Sequence, residues 1–243
     1  MRKRADILLV ERGLFDSRAK ARAAIEAGGV TANGATVSKA SEAIPEDAEI
    51  VAEAAHPWVG RGALKLEHAL TLWPIMVEGR VVVDVGASTG GFTEVCLSRG
   101  AAMVYAVDVG REQLHPKLRS DPRVIDLSGT DARSLDAALI PDAPQLVVSD
   151  VSFIGLAKAL PAALALAAPG ADLVALIKPQ FEVGRENIGK GGLVKDEAAR
   201  EKAVADVLAF LAESGWTVRE TAPSPILGGE GAVEHLVWAI HPA

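Results

Sequence analysis

The chain has 243 residues, 49% of them hydrophobic and 23% charged, which excludes global disorder and suffices for one large domain with or without a small one. Its net charge of −7 argues against a protein that coats nucleic acid indiscriminately, and its single cysteine, Cys96, excludes a disulfide framework and predicts a reducing cytoplasm. No apolar run reaches the ~18 residues of a membrane span, and no apolar region follows the basic start, so we expect neither a membrane partner nor a secretory signal.

The first 55 residues predict a small α+β domain. Helices are expected over Ala5–Arg12, ended by Gly13, and over Arg18–Ala27, with a capping residue just before it. Asn33-Gly34 lies between two short β-runs, which is a strong hairpin signal. A further strand is expected within 44–51, after a turn.

Positive charge is concentrated at the start of this domain. Residues 2–22 carry seven basic and three acidic side chains, a local charge of +4, which leaves −11 for residues 23–243. Such a basic segment on an acidic chain indicates a local anion-binding surface, although a solvated helix face gives the same pattern. We refer to the four candidate contact residues as the basic head: Arg4, Arg18, Lys20 and Arg22.

After a linker over 56–62, residues 63–243 show the pattern of a second domain. Apolar runs of strand length alternate with helical stretches. Seven strands are predicted, at Val81–Val85, Met103–Val107, Arg123–Ile125, Leu146–Ser149, Leu173–Ile177, Trp216–Glu220 and His235–Ile240. Helices are predicted near 91–99, 112–119, 131–139, 155–167 and 196–214. The alternation predicts an α/β fold with a doubly wound, mostly parallel, seven-stranded Rossmann-like sheet.

A glycine-rich turn after the first of these strands is the strongest binding signal. The candidate cofactor residues in and around the turn are Asp84, Gly86, Ala87, Ser88, Gly90, Gly91 and Phe92. A dinucleotide fingerprint requires glycines at positions 86, 88 and 91, but position 88 is Ser, which weakens a pyrophosphate-binding interpretation. Asp108 ends the next strand, where a carboxylate can accept both hydroxyls of a ribose, and Asp131 follows the third strand, near an expected adenine edge. The pattern favours a nucleoside without phosphates, such as S-adenosylmethionine; the alternative is a turn that binds nothing.

Four ionisable residues form the candidate catalytic set: Lys65, Asp150, Lys178 and Glu234. Asp150 and Lys178 end the fourth and fifth strands, and the carboxyl ends of such strands face the ligand crevice. Asp150 is therefore also a candidate cofactor residue. A lysine at the end of a buried strand is costly unless it is paired or functional, and Asp150 is the expected partner. Each residue alone could be a surface charge, but their joint placement predicts a site.

Five segments are informative together: "RADILLVERGLFDSRAKARAAIEAG", "DVGASTGGFT", "DVGREQLHPKLR", "SDVSFI" and "LIKPQFEVGRENIGKGG". They resemble the TlyA (haemolysin A) family of ribosomal RNA 2′-O-methyltransferases, with an FtsJ/RrmJ-like catalytic part and a small RNA-binding domain of the ribosomal-protein-S-four type. The resemblance implies transfer of a methyl group from S-adenosylmethionine to ribosomal RNA. It also implies a Lys-Asp-Lys-Glu tetrad in which Lys178 orients and deprotonates the ribose hydroxyl and Glu234 positions Lys65 or the ribose.

The resemblance assigns RNA phosphate contacts to the basic head. The five histidines show no ligand spacing, so we expect no metal. Lys117, Arg119, Arg185 and Lys190 are expected to extend the track, and Pro179–Gly192 is a candidate substrate loop. The chain departs from the family pattern at Ala63, Asp131 and Ala232. The alternatives are a non-catalytic RNA-binding assembly factor, a small-molecule methyltransferase and, on the family's older name, a membrane-lytic protein.

Overall fold

The computed structural model describes residues 1–243 and divides the chain into two units, Met1–Arg61 and Gly62–Ala243. None of its helices is long and apolar enough to cross a membrane.

The N-terminal unit combines two helices with five short strands. In chain order they are β1 (Arg2–Arg4), α1 (Ala5–Glu11), α2 (Arg18–Glu26), β2 (Val30–Ala32), β3 (Ala35–Thr36), β4 (Ala43–Pro45) and β5 (Ile50–Ala52). Strand β1 pairs antiparallel with β4, and β2 pairs antiparallel with both β3 and β5. Leu8, Leu9 and Ile25 of the helices enter the core with Val30 and Ile44.

The predicted helices and hairpin of this unit are confirmed. Ser17 caps α2 by accepting a hydrogen bond from the Lys20 amide at 3.3 Å. Asn33 and Gly34 both have positive φ, which is the backbone that a tight two-residue hairpin turn requires. Strand β1, which was not predicted, brings the basic start of the chain alongside β4.

The second unit alternates strands with helices. Its elements are α3 (Ala63–Leu72), β6 (Val81–Val85), α4 (Gly91–Ser98), β7 (Met103–Asp108), α5 (Pro116–Arg119), β8 (Val124–Ser128), β9 (Leu146–Ser149), α6 (Leu156–Ala159), α7 (Pro161–Leu166), β10 (Asp172–Ile177), α8 (Pro179–Glu182), α9 (Glu197–Glu213), β11 (Thr217–Pro223) and β12 (His235–Ile240).

All seven predicted strands join one sheet in the order β11-β12-β10-β9-β6-β7-β8. Strands β6 to β10 run parallel, whereas β12 is antiparallel to β10 and β11 is antiparallel to β12. After β6 the chain adds β7 and β8 on one side of β6, and it then adds β9 on the opposite side of β6. The boundary between β6 and β9 is therefore the switch point, where open α/β sheets form their ligand crevice.

The helix predicted over 131–139 is wrong. Only the short 3₁₀ turn Ala132–Ser134 forms there, because Asp131 and Asp136 accept hydrogen bonds from nearby amides and so favour turns over a helix. The helix predicted over 112–119 begins only at Pro116, since Glu112 has a left-handed backbone with φ of 56°. The stretch 155–167 forms two short helices, because Pro161 has no amide hydrogen for a continuous ladder.

Helix α3 was not predicted, although its buried residues Ala63, Leu66, Ala69 and Leu70 have helical spacing. It carries Lys65 on the same buried face.

Candidate active site

A cavity of about 510 Å³ lies at the carboxyl ends of β6, β7 and β9, beside the switch point. Its volume falls within the range of about 300–1,000 Å³ that is usual for small-molecule sites. Its walls include apolar side chains of Val85, Val107, Val151 and Ile154. Five of the predicted cofactor residues line it: Gly86, Ser88, Asp108, Asp131 and Asp150.

The glycine-rich turn is shaped by close backbone contacts. Gly86 has φ of +87°, and a Cβ atom there would lie 3.0 Å from the backbone of Val151, so a larger residue would push apart the two loops that form the cavity. Gly90, with φ of +96°, makes room for Leu114 and Leu118. Gly91 and Phe92 begin α4 and are buried, as is Ala87. Ala87, Gly90, Gly91 and Phe92 therefore pack on the side of the turn away from the cavity and do not line it.

The Asp108 carboxylate is held firmly at the cavity wall. Its Oδ2 accepts a hydrogen bond from the Ser88 amide at 2.8 Å, and its Oδ1 accepts one from the Gly110 amide at 2.7 Å. Each carboxylate oxygen has a further lone pair, so Asp108 can still accept hydrogen bonds from a diol.

Asp84 lies under the turn and is completely buried. Its Oδ2 accepts a hydrogen bond from Thr93 Oγ1 at 2.7 Å, while its Oδ1 has no partner. Burial raises the pKa of this carboxyl to about 7, against the opposing effect of the Thr93 hydrogen bond.

Asp131 lines the cavity but is already engaged. It caps the 3₁₀ turn through the Arg133 amide and pairs with the Arg133 guanidinium, which holds the pKa of the Asp131 carboxyl at about 2. Apolar walls for a base, a fixed carboxylate for a diol and a close-approach glycine together fit S-adenosylmethionine.

The four predicted catalytic residues are brought together beside this cavity. Lys65 Nζ lies 2.6 Å from Glu234 Oε2 and 3.5 Å from Asp150 Oδ2. Lys178 Nζ lies 2.6 Å from Asp150 Oδ1, on the other side of the same carboxylate. The cluster is therefore a chain of alternating charges, Glu234–Lys65–Asp150–Lys178.

Burial makes this cluster unusual for a set of charges. Lys65, Lys178 and Glu234 are each at most 7% exposed, and the Asp150 side chain is 18% exposed. The charges of two ammonium groups and two carboxylates balance, and buried charges are tolerated when they are paired in this way. Asp150 belongs both to the cluster and to the cavity wall, so it joins the two.

Three further residues shape the cluster and were missed. Ser152 Oγ accepts a hydrogen bond from Lys178 Nζ at 2.9 Å, and it also lines the cavity. A side chain on Gly62 would crowd Asp150 Oδ2, and one on Gly228 would collide with the Glu234 carboxylate. Ser152 lies two residues after a strand-end Asp, and both glycines lie in Gly-rich loops, but nothing in the sequence connects them with these partners.

The residues of the basic head all form ion pairs in the N-terminal unit. Lys20 pairs with Asp16 at 3.1 Å, Arg22 pairs with Glu26 at 2.7 Å, and both Arg4 and Arg18 contact Asp6. All four side chains remain partly exposed, from 25% for Lys20 to 68% for Arg22.

Of the four residues expected to extend the RNA track, two are in ion pairs. Lys117 pairs with Glu94 at 2.9 Å, and Arg119 with Asp126 at 3.3 Å. Arg185 and Lys190 lie in short 3₁₀ turns. The candidate loop 179–192 thus contains α8 and two such turns.

Comparison with known proteins identifies the relatives of this chain. The FtsJ-like methyltransferase family matches residues 58–240, and the S4 domain matches residues 3–50. The 16S/23S rRNA (cytidine-2′-O)-methyltransferase TlyA of Mycobacterium tuberculosis is 46% identical over 239 residues, which cover 98% of this chain and 89% of that protein. Hemolysin A of Brachyspira hyodysenteriae is 37% identical over 238 residues, which cover 98% of this chain and 99% of that protein.

A solved structure shows the same architecture. A Streptococcus thermophilus protein named as a hemolysin is 40% identical in sequence and has a TM-score of 0.79. The match covers 99% of this chain and 89% of that protein. By its sequence matches and its fold, the chain belongs to the FtsJ-like methyltransferase family and carries an S4 domain in its N-terminal part.

Proposed function

We propose that this protein methylates the 2′-oxygen of a ribose in ribosomal RNA, with S-adenosylmethionine as the methyl donor. The observation that carries the proposal is the buried Glu234–Lys65–Asp150–Lys178 cluster, joined through Asp150 to a cavity that fits the donor. The name of the Mycobacterium tuberculosis relative supports a cytidine as the target nucleotide.

The donor cavity uses residues from four loops. Asp108 would accept the hydroxyls of the donor's ribose, Gly86 would allow its close approach to the backbone, and Asp131 would lie near its base. When bound, S-adenosylmethionine supplies an electrophilic methyl group on a sulfonium sulfur.

Lys178 is the residue that we propose handles the hydroxyl proton. In the structure its Nζ faces three oxygens, Asp150 Oδ1 at 2.6 Å, Ser152 Oγ at 2.9 Å and the Asp150 carbonyl at 3.4 Å. A ribose hydroxyl that replaces the Ser152 contact would be oriented by Nζ. The Lys178 ammonium would first release a proton to solvent, and the neutral amine would then take the hydroxyl proton as the oxygen is methylated. Alignment of the hydroxyl by this fixed group contributes alongside proton transfer.

Lys65 and Glu234 hold the other half of the cluster. Glu234 is 3% exposed and contacts Lys65 at 2.6 Å, so Lys65 is fixed where it can also attract Asp150. Because the Asp150 carboxylate also interacts with Lys65, its attraction for the Lys178 ammonium is weaker than in an isolated pair.

The N-terminal unit is proposed to bind the RNA. Residues 1–55 would form the RNA-binding domain, 56–62 the linker and 63–243 the methyltransferase domain. Arg4, Arg18, Lys20 and Arg22 would contact phosphates, which gives affinity and register but not sequence preference. The cytoplasm, where ribosomal subunits and a reducing environment are found, is the proposed compartment.

The proposal is tested by methyl transfer to unmodified ribosomal subunits and to free ribosomal RNA. The purified full-length protein and radiolabelled donor should label RNA, and nuclease digestion with mass spectrometry should place the methyl group on a ribose oxygen. A protein that binds RNA but transfers no methyl group would support the assembly-factor alternative.

A further inference from the structure

The carboxylate of Asp6 joins two arginines of the basic head. Asp6 lies in the first turn of α1 and is 4% exposed. Arg4 contacts it with two nitrogens, Nε to Oδ1 at 3.0 Å and Nη2 to Oδ2 at 3.1 Å. Arg18, at the start of α2, contacts Oδ2 with Nε at 3.1 Å and Nη2 at 2.6 Å. Both arginine side chains are about half exposed, whereas the Asp6 side chain is only 5% exposed.

This arrangement leaves most of each guanidinium available. A guanidinium has five N–H donors in a rigid plane, and the contacts with Asp6 use only two of them on each arginine. The two guanidinium planes are thus fixed by one buried anion while their remaining donors stay accessible. The two arginines hold the pKa of the Asp6 carboxyl at about 2, so the anion is present throughout the neutral range.

The same two arginines line a groove in the N-terminal unit. Arg22 and Lys39 also line it, with Ser38 and Ser41, so its cations outnumber its carboxylates, Asp6 and Glu26. A groove of this character suits a chain of phosphates, which requires several cations at fixed spacing.

We propose that Asp6 is a positioning residue for RNA binding: it does not contact RNA, but it orients the Arg4 and Arg18 guanidinium groups for phosphates. The inference rests on the proposed function. Two effects of Asp6 oppose each other, because its negative charge weakens the attraction of the groove for phosphate, while its contacts remove the conformational freedom that two long side chains would otherwise lose on binding. The second effect is the larger of the two.

The two effects can be separated by whether a substitution that removes a negative charge raises or lowers the affinity for RNA. Asp6→Asn and Glu26→Gln each remove one carboxylate charge from the groove, but Glu26 contacts only Arg22, on an exposed surface. The full-length protein is titrated with unmodified ribosomal RNA transcript at several salt concentrations. Glu26→Gln should bind as tightly as the wild type or more tightly. Asp6→Asn should bind at least about fivefold more weakly at low salt, with the salt slope lower by about one to two units as phosphate contacts are lost.

A second variant covers the case in which Asp6→Asn does not fold. The double variant Arg4→Lys with Arg18→Lys changes two half-exposed side chains and keeps their charge, but lysine cannot offer the two-pronged contact to Asp6. It should remain folded at the assay temperature and lose RNA affinity by a similar factor. A purely structural role for Asp6 would lower the melting temperature of Asp6→Asn and leave the double lysine variant with wild-type affinity.

The outcomes also distinguish this inference from the function on which it rests. A wild-type protein that does not bind ribosomal RNA would overturn both. A wild-type protein that binds, together with an Asp6→Asn protein that binds equally or more tightly, would overturn the role of Asp6 alone.

Discussion

The buried carboxyl of Asp84 predicts that the second unit loses stability as the pH rises towards neutrality. Asp84 is fully buried, its Oδ1 has no hydrogen-bond partner, and burial raises its pKa to about 7. An unfolded Asp has a pKa of about 3.9, so between about pH 4 and 7 the folded state keeps a proton that the unfolded state has released. Folding therefore becomes less favourable through this window, and no further loss from Asp84 occurs above it.

The magnitude follows from the width of the window. Each pH unit contributes about 1.36 kcal/mol, so a window of roughly three units corresponds to an effect on the order of 4 kcal/mol. Between about pH 5 and pH 8 roughly two of those units are sampled, or about 3 kcal/mol. Such a difference is large beside the total stability of about 5–15 kcal/mol of a typical domain.

Urea unfolding of the wild type and of Asp84→Asn, each at about pH 5 and pH 8, tests this reasoning. Tryptophan fluorescence suits the measurement, because three of the four tryptophans, Trp73, Trp216 and Trp238, lie in the second unit. Asp84→Asn should show a pH-dependent loss of stability smaller by about 3 kcal/mol, because an amide does not titrate. The matched control Asp206→Asn, at an exposed surface pair, should keep the wild-type dependence. The reasoning is refuted if Asp84→Asn and wild type lose the same free energy between the two pH values.

Three further predictions concern the candidate active site and the basic head. Lys178→Met should fold and bind the donor but transfer methyl at least ~10²-fold more slowly, and Lys178→Arg should not restore the rate; single-turnover assays check this, and a fully active Lys178→Met protein would contradict the proton-transfer role. Asp108→Asn should weaken donor binding roughly tenfold by calorimetry, because a charged acceptor of diol hydrogen bonds becomes neutral; unchanged affinity would contradict its assignment. Arg18→Ala with Arg22→Ala should lower the salt slope of RNA binding by about two units without changing donor affinity, whereas an unchanged slope would make the basic head a solvated face.

The sheet could be predicted because its strands are continuous apolar runs separated by helical stretches. Strands buried on both faces, such as β10 with Leu173 to Ile177, have almost no other interpretation once helices alternate with them. Because parallel strands end at the same edge of the sheet, Asp150 and Lys178 were predicted to lie close together. Lys178 Nζ lies 2.6 Å from Asp150 Oδ1.

The contacts of Lys65 and Glu234 depend on elements far apart in the chain. Lys65 is placed by α3, which was not predicted, and Glu234 needs the space left by Gly228. The same holds for the basic head, because the pairing of Arg18 with Asp6 follows from the packing of α1 against α2. Local competition explains the failed helix over 131–139, where Asp131 and Asp136 bind backbone amides.

We propose that the lysine–carboxylate cluster promotes methyl transfer from the donor to a ribose of ribosomal RNA. The most direct measurement is mass-spectrometric mapping of ribosomal RNA after incubation of unmodified ribosomal subunits with donor and either wild-type protein or Lys178→Met. We expect a new 2′-O-methyl group with the wild type and none, or at least ~10²-fold less, with the variant. A methyl group on a base, no methyl transfer by the wild type, or equal ribose methylation by the two proteins would contradict it.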